Sequence, residues 1–136
     1  MGSEARARLA AVALGGALGT PARYGISLLV HITPGTFPWG TFWTNVSGSF
    51  VLGFFLALVL ERFPPTRYLR PFVATGFLGA YTTYSTFAVE TDLLVRNGYP
   101  GVALLYVVAS FGVGLTAAWT GALLARATPG LRRRRQ

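Results

Sequence analysis

The chain alternates between four long apolar runs and short polar separators. The runs extend over about Leu9 to Val30, Trp39 to Leu60, Pro71 to Val95 and Gly101 to Ala125. A helix rising about 1.5 Å per residue needs roughly 20 residues to cross the hydrocarbon core, and each run is long enough. The separators "HITPGTFP", "ERFPPTRYLR" and "RNGYP" carry the Pro, Gly and charged residues that mark turns. This pattern predicts an all-α membrane protein, a single four-span domain over residues 1–136. Trp39, Trp43 and Tyr68 fall where an interfacial aromatic belt is expected.

Composition narrows the classes further. The chain is 52% hydrophobic and only 12% charged, with a mean hydropathy of +0.50. It has no cysteine and a single histidine, His31, so disulfide frameworks, thiolate or histidine metal clusters and a catalytic triad are excluded. No nucleophile and base pair suggests an enzyme. The opening "MGSEARAR" resembles the start of a signal peptide, but the apolar run after it is too long for one.

Net charge is +8, and all twelve basic residues are arginine. A nucleic-acid binder would present them on a face interleaved with aromatics. Here they cluster between the apolar runs and in a basic tail over 126–136, as a topology signal and a contact for anionic membrane lipids would. No nucleic-acid partner is expected. Four spans place both termini and the middle separator on one side, which then carries ten arginines against Arg96 alone. The positive-inside rule puts the termini in the cytoplasm of a multi-pass protein of the cell membrane.

Several residues do not suit lipid. Arg23 lies inside the first run, about 10 Å from its end at helical rise; it either snorkels to the interface or faces protein or a cavity. Asn45 shares a helix face with Gly48 and Ser49, a pattern that fits helix packing or a pore. Tyr106, Ser110 and Gly114 form a similar stripe, and Gly15 and Gly19 read as a packing pair. The third run is harder to explain by packing. In "TGFLGAYTTYST", Gly76 and Gly79 precede Thr82, Thr83, Ser85 and Thr86. On a straight helix Ser85 would point away from the three threonines. The block instead suggests a broken helix, which is tolerated at membrane depth only under protein or a watery cavity. A break frees carbonyl oxygens that suit a hard cation, and N–H and hydroxyl groups that suit an anion.

At these residues the chain resembles the Fluc (CrcB-type) family of fluoride ion channels. The resemblance rests on "GGALGTPARYG", "GTFWTNVSGSFVLGF" and "GFLGAYTTYSTFAVE" in that order, and it covers the chain. It implies an antiparallel dimer of four-span subunits with two fluoride pores at the interface. It further implies a central structural Na⁺, not transported, on the main-chain carbonyls of Gly79 and Thr82. Asn45, Tyr84, Ser85, Thr86, Phe87, Tyr106 and Ser110 would form the pore, with Arg23 and Glu90 in support. The family usually has phenylalanine where this chain has Tyr84.

The chemistry agrees with that implication. Fluoride is strongly hydrated, and hydroxyls, an amide and aromatic edges can replace its water. Glu90 and Asp92 fall toward the end of the third run, with Asp92 read as interfacial. Asn45→Asp is expected to slow fluoride and leave the fold intact. The ten-to-one arginine bias is unusual for dual insertion, so the partner is either a second copy or an oppositely oriented paralogue. The main alternative is a small proton-coupled multidrug exporter, but its embedded carboxylate is replaced here by Arg23. A purely structural subunit would account for Asn45 and the glycines but not for the hydroxyl block.

Overall fold

The computed structural model describes residues 2–30, 33–62 and 67–128, and among these all regular structure is helical. His31 and Arg132 to Arg135 of the basic tail lie outside the described residues. Helix covers each of the four apolar runs. Helices α1 (Ser3–Leu29) and α2 (Trp39–Arg62) are each continuous, α1 with Pro21 in its interior. The third run is divided into a wide-turn π-helical segment, Pro71–Leu78, a single turn α3 (Gly79–Tyr81), and α4 (Tyr84–Arg96). Helix α5 (Pro100–Ala127) begins on a proline, whose missing N–H is no loss in a first turn.

Glycines decide which helices approach closely. A methyl group at Gly15 would collide with the Phe72 carbonyl oxygen, and one at Gly19 with that of Phe77. These contacts lay α1 parallel to Pro71–Leu78, as expected for a packing pair. On the other side, a methyl at Gly53 would strike the Ala118 carbonyl and one at Gly121 that of Phe50, so α2 and α5 also run in contact. Between them lies the core of Phe42, Val46, Phe87, Leu94, Ala103 and Tyr106.

Two of the helices have the length and composition of an uninterrupted membrane span, Trp39–Val59 within α2 and Pro100–Ala127. The others depart from this for identifiable reasons. Helix α1 carries Glu4, Arg6, Arg8 and Arg23 among its small residues, and the third run is divided at Thr82 and Thr83. Along α5, Leu104, Val108, Phe111, Leu115 and Trp119 each remain more than half exposed. Apolar surface of that extent is unfavourable in water and is normal against lipid or a partner.

Candidate functional site

The site is built around the interval between α3 and α4. Thr82 (φ −77°, ψ 157°) and Thr83 (φ −145°, ψ 120°) have extended backbones, and the helix resumes at Tyr84. Both the N–H and the hydroxyl of Thr82 donate to the Leu78 carbonyl, at 2.9 and 2.8 Å, which closes the preceding turn. Thr83 then leaves the helix and takes its partners from α2. Its N–H donates to Asn45 Oδ1 at 2.8 Å, and Asn45 Nδ2 donates to its carbonyl at 3.0 Å. In a continuous helix the Thr83 N–H would serve the Gly79 carbonyl. Asn45 takes that donor away.

The Thr83 side chain starts the next helix. Its Oγ1 accepts from the Thr86 N–H at 3.1 Å, a helix N-cap, and donates to Thr86 Oγ1 at 3.0 Å. Ser85 Oγ lies 3.3 Å from the same oxygen. On a straight helix Ser85 would point away; because Thr83 is extended, its hydroxyl swings over the first turn of α4 and meets Ser85 there. Gly48 of α2 makes room for this arrangement, since the Thr82 methyl occupies the place of a side chain at that position.

Two cavities meet at Thr83. An open groove of about 400 Å³ is lined by Asn45, Gly79, Thr82, Thr83, Tyr84, Phe87 and Ser110 together with apolar residues, and no charged side chain borders it. A second cavity of about 530 Å³ is bordered by Arg23, Thr41, Thr83, Thr86, Glu90 and Asn97. Of the two readings open for Arg23, the structure puts it on this cavity. It takes part in neither of the ion pairs among the described residues, Arg67 with Glu4 and Arg96 with Asp92.

In the second cavity both Glu90 oxygens are engaged: Oε1 accepts from Thr41 Oγ1 and Oε2 from the Tyr106 hydroxyl, each at 2.8 Å. Tyr106 is fully buried, its ring 5.2 Å from that of Phe37 and 5.0 Å from that of Phe87. Tyr106 and Ser110, expected as one polar stripe, are therefore separated. Phe87 of α4 covers Tyr106, whereas nearer the start of α4 Ser110 borders the groove. Ser110 Oγ is buried there and, among the described residues, is the one buried side-chain polar atom without a hydrogen-bond partner. Ser85 borders neither cavity but is exposed beside the cap.

Sequence reasoning placed Thr83 in the hydroxyl block without seeing that it is the hinge of the site. Thr41 was also missed, although its spacing of four from Asn45 put both on one face of α2. Ser47 and Tyr81, whose hydroxyls lie 2.8 Å apart, had no signal linking them.

The groove offers neutral donors and ring edges. Ser110 has an unused hydroxyl in the groove, and on the side of the second cavity the Thr86 proton has no acceptor in the Thr83 set, because a hydroxyl carries one proton. The Phe87 ring meets Phe111 edge-on (6.0 Å, 89°) and lies 6.0 Å from Tyr84, which is 76% exposed. Neutral donors and positive ring edges without a bordering carboxylate suit a small anion.

An all-helical architecture with two long helices apolar enough to cross a membrane and an outward apolar face on α5 is that of a membrane protein. The chain belongs to the CrcB family: the family model described as CrcB-like protein, Camphor Resistance (CrcB), matches residues 10–122. It is 52% identical over 118 residues to the fluoride-specific ion channel FluC 3 of Streptomyces avermitilis, covering 87% of this chain and 58% of that protein. FluC 2 of the same organism is 47% identical over 102 residues, 75% of this chain and 65% of its own length. FluC 1 of Mycobacterium tuberculosis is 44% identical over 118 residues, 87% of this chain and 89% of its own. The chain thus spans less than two thirds of the two Streptomyces relatives. These relatives are named as ion channels, not as enzymes.

Proposed function

We propose that this chain is a subunit of a fluoride-selective channel of the cell membrane, through which fluoride leaves the cytoplasm passively. The observation that carries the reading is the extended Thr82–Thr83 pair held by Asn45 at a groove of neutral donors. The names of its relatives, fluoride-specific ion channels, agree with it.

In this reading the four apolar runs are four membrane spans, the third broken at Thr82 and Thr83. Two subunits pair in opposite orientations across the groove, where Tyr84 and the apolar face of α5 are open. Fluoride gives up its water to the Asn45 amide and the hydroxyls of Ser85, Thr86 and Ser110, with ring edges of Phe87 and Tyr84 beside them. Tyr106 acts from behind by holding Glu90, and Arg23 raises the local anion concentration in the second cavity.

The Gly79 and Thr82 carbonyls fit a Na⁺ ion. The Thr83 N–H is committed to Asn45, so the Gly79 carbonyl lacks its usual helical donor, and main-chain carbonyls are hard oxygen ligands. Bound there, the ion would supply a fixed positive charge beside the anion path.

The termini face the cytoplasm, with ten arginines on their side and Arg96 opposite. Such a bias favours one orientation, and the partner is then a paralogue of opposite bias. Two relatives from one organism agree with the presence of more than one family member in a cell.

Expression in a bacterium lacking its own fluoride exporter tests the function. The chain, alone or with its paralogue, is expected to restore growth in fluoride. Membrane-inserted protein that gives no protection would contradict the proposal.

A further inference from the structure

The Tyr81 side chain borders neither cavity, yet it is tied down at three points. Its ring stacks on that of Phe77 (6.0 Å, 7°). Its edge lies over Gly48, where a methyl group would come within 3.2 Å of Cδ1. Its hydroxyl lies 2.8 Å from Ser47 Oγ. Ser47 Oγ itself donates to the Thr44 carbonyl at 3.2 Å. A hydroxyl has one proton to give, so Tyr81 is the donor of the pair and Ser47 the acceptor. The bond chain therefore ends on the main chain of α2.

Helix α2 thus grips the non-helical interval on both sides. Asn45 holds Thr83, Ser47 holds Tyr81 two residues earlier, and the Thr82 methyl sits against Gly48 between them. A residue has two soft backbone torsions. With its neighbours fixed on either side, Thr82 has little freedom to turn its carbonyl, and Gly79 lies in the turn that Tyr81 ends. We infer that the Tyr81–Ser47 bond is a positioning clasp that aims the Thr82 and Gly79 carbonyls and so sets their affinity for a monovalent cation. This rests on the sodium site proposed above. Neither side chain touches the ion or the anion.

The two halves of the clasp differ in what their loss leaves behind. Tyr81→Phe leaves Ser47 still bonded to Thr44. Ser47→Ala leaves the Tyr81 hydroxyl without its partner at a part-buried position, which is the costlier outcome.

The test uses the full chain purified in detergent, dialysed free of sodium against an organic cation, and titrated with NaCl while its thermal unfolding midpoint is followed. The wild type is expected to be stabilised by Na⁺. Tyr81→Phe is expected to raise the half-saturating Na⁺ concentration roughly three- to tenfold, the effect of one hydrogen bond. Ser47→Ala should shift it at least as far, and the double variant no further than the larger single shift. At high Na⁺ the Tyr81→Phe midpoint should stay below that of the wild type, because stabilisation grows with [Na⁺]/Kd and the variant with the larger Kd lags at every concentration. Thr116→Val, which removes a hydroxyl bonded only within α5, should leave the titration unchanged. A wild type that responds to Na⁺ while Tyr81→Phe titrates identically would overturn the clasp alone. A wild type indifferent to Na⁺ would overturn the sodium site and the clasp with it.

Discussion

Asn45 closes two hydrogen bonds on one residue, Thr83, and this changes what its substitution should do. In Asn45→Asp the group that replaces Nδ2 is an oxygen facing the Thr83 carbonyl. The variant loses a donor, sets two acceptors against each other and brings negative charge to the proposed anion path. Sequence alone predicted slowed fluoride with the fold intact; the structure adds a stability loss of about 1–3 kcal/mol, readable as a lowered melting midpoint. Ser110→Ala should do the opposite. Its Oγ has no protein partner to lose, so stability should hold while fluoride flux falls roughly ten- to a hundredfold, as for a hydrogen bond to a charged group. Unchanged flux in Ser110→Ala would remove it from the path. At this scale the sequence was only half legible. Residue types and local spacing announced the hydroxyl block, whereas the N-cap at Thr83 was not read from it and the pairing of Asn45 with a residue 38 positions away follows from packing that no local pattern carries. Ser85 meets Thr83 because Thr83 is extended, a direction that a straight helix would not give it.

The helical elements were easier to read, because each apolar run is long and bounded by Pro, Gly or charge. The stripe of Tyr106 and Ser110 shows the limit of that reading. Helical periodicity puts both on one face, but it cannot say that α4 covers one and leaves the other bordering a groove. Small residues, by contrast, gave a sound signal at Gly15 and Gly19, which pack on the backbone of the third run, although Gly53 and Gly121 were not singled out. Gly53 and Gly121 mark where α2 and α5 touch through their backbones, and a side chain at either must push the helices apart. Gly121→Val should therefore cost about 1–3 kcal/mol through overpacking and reduce the yield of folded protein. Gly112→Ala, where nothing lies within 4 Å of an added methyl, should be tolerated. Equal yields from the two variants would contradict the packing described for this pair.

For the molecule as a whole, charge distribution sets the strongest expectation. A C-terminal reporter active only in the cytoplasm should be the one that gives signal if the arginine bias sets one orientation, as proposed; signal from both sides of the membrane would point to dual insertion and a homodimer. The groove, the second cavity and Thr83 between them belong to a single account in which a helix is interrupted so that a desolvated anion can pass. Its most direct test is passive efflux from proteoliposomes loaded with fluoride or with chloride and containing the purified chain, with its paralogue added if it proves to need one. Fast fluoride efflux without proton or drug coupling, and chloride retained, is the predicted result. Chloride leaving as fast as fluoride, or no fluoride movement from vesicles that contain folded protein, would contradict it.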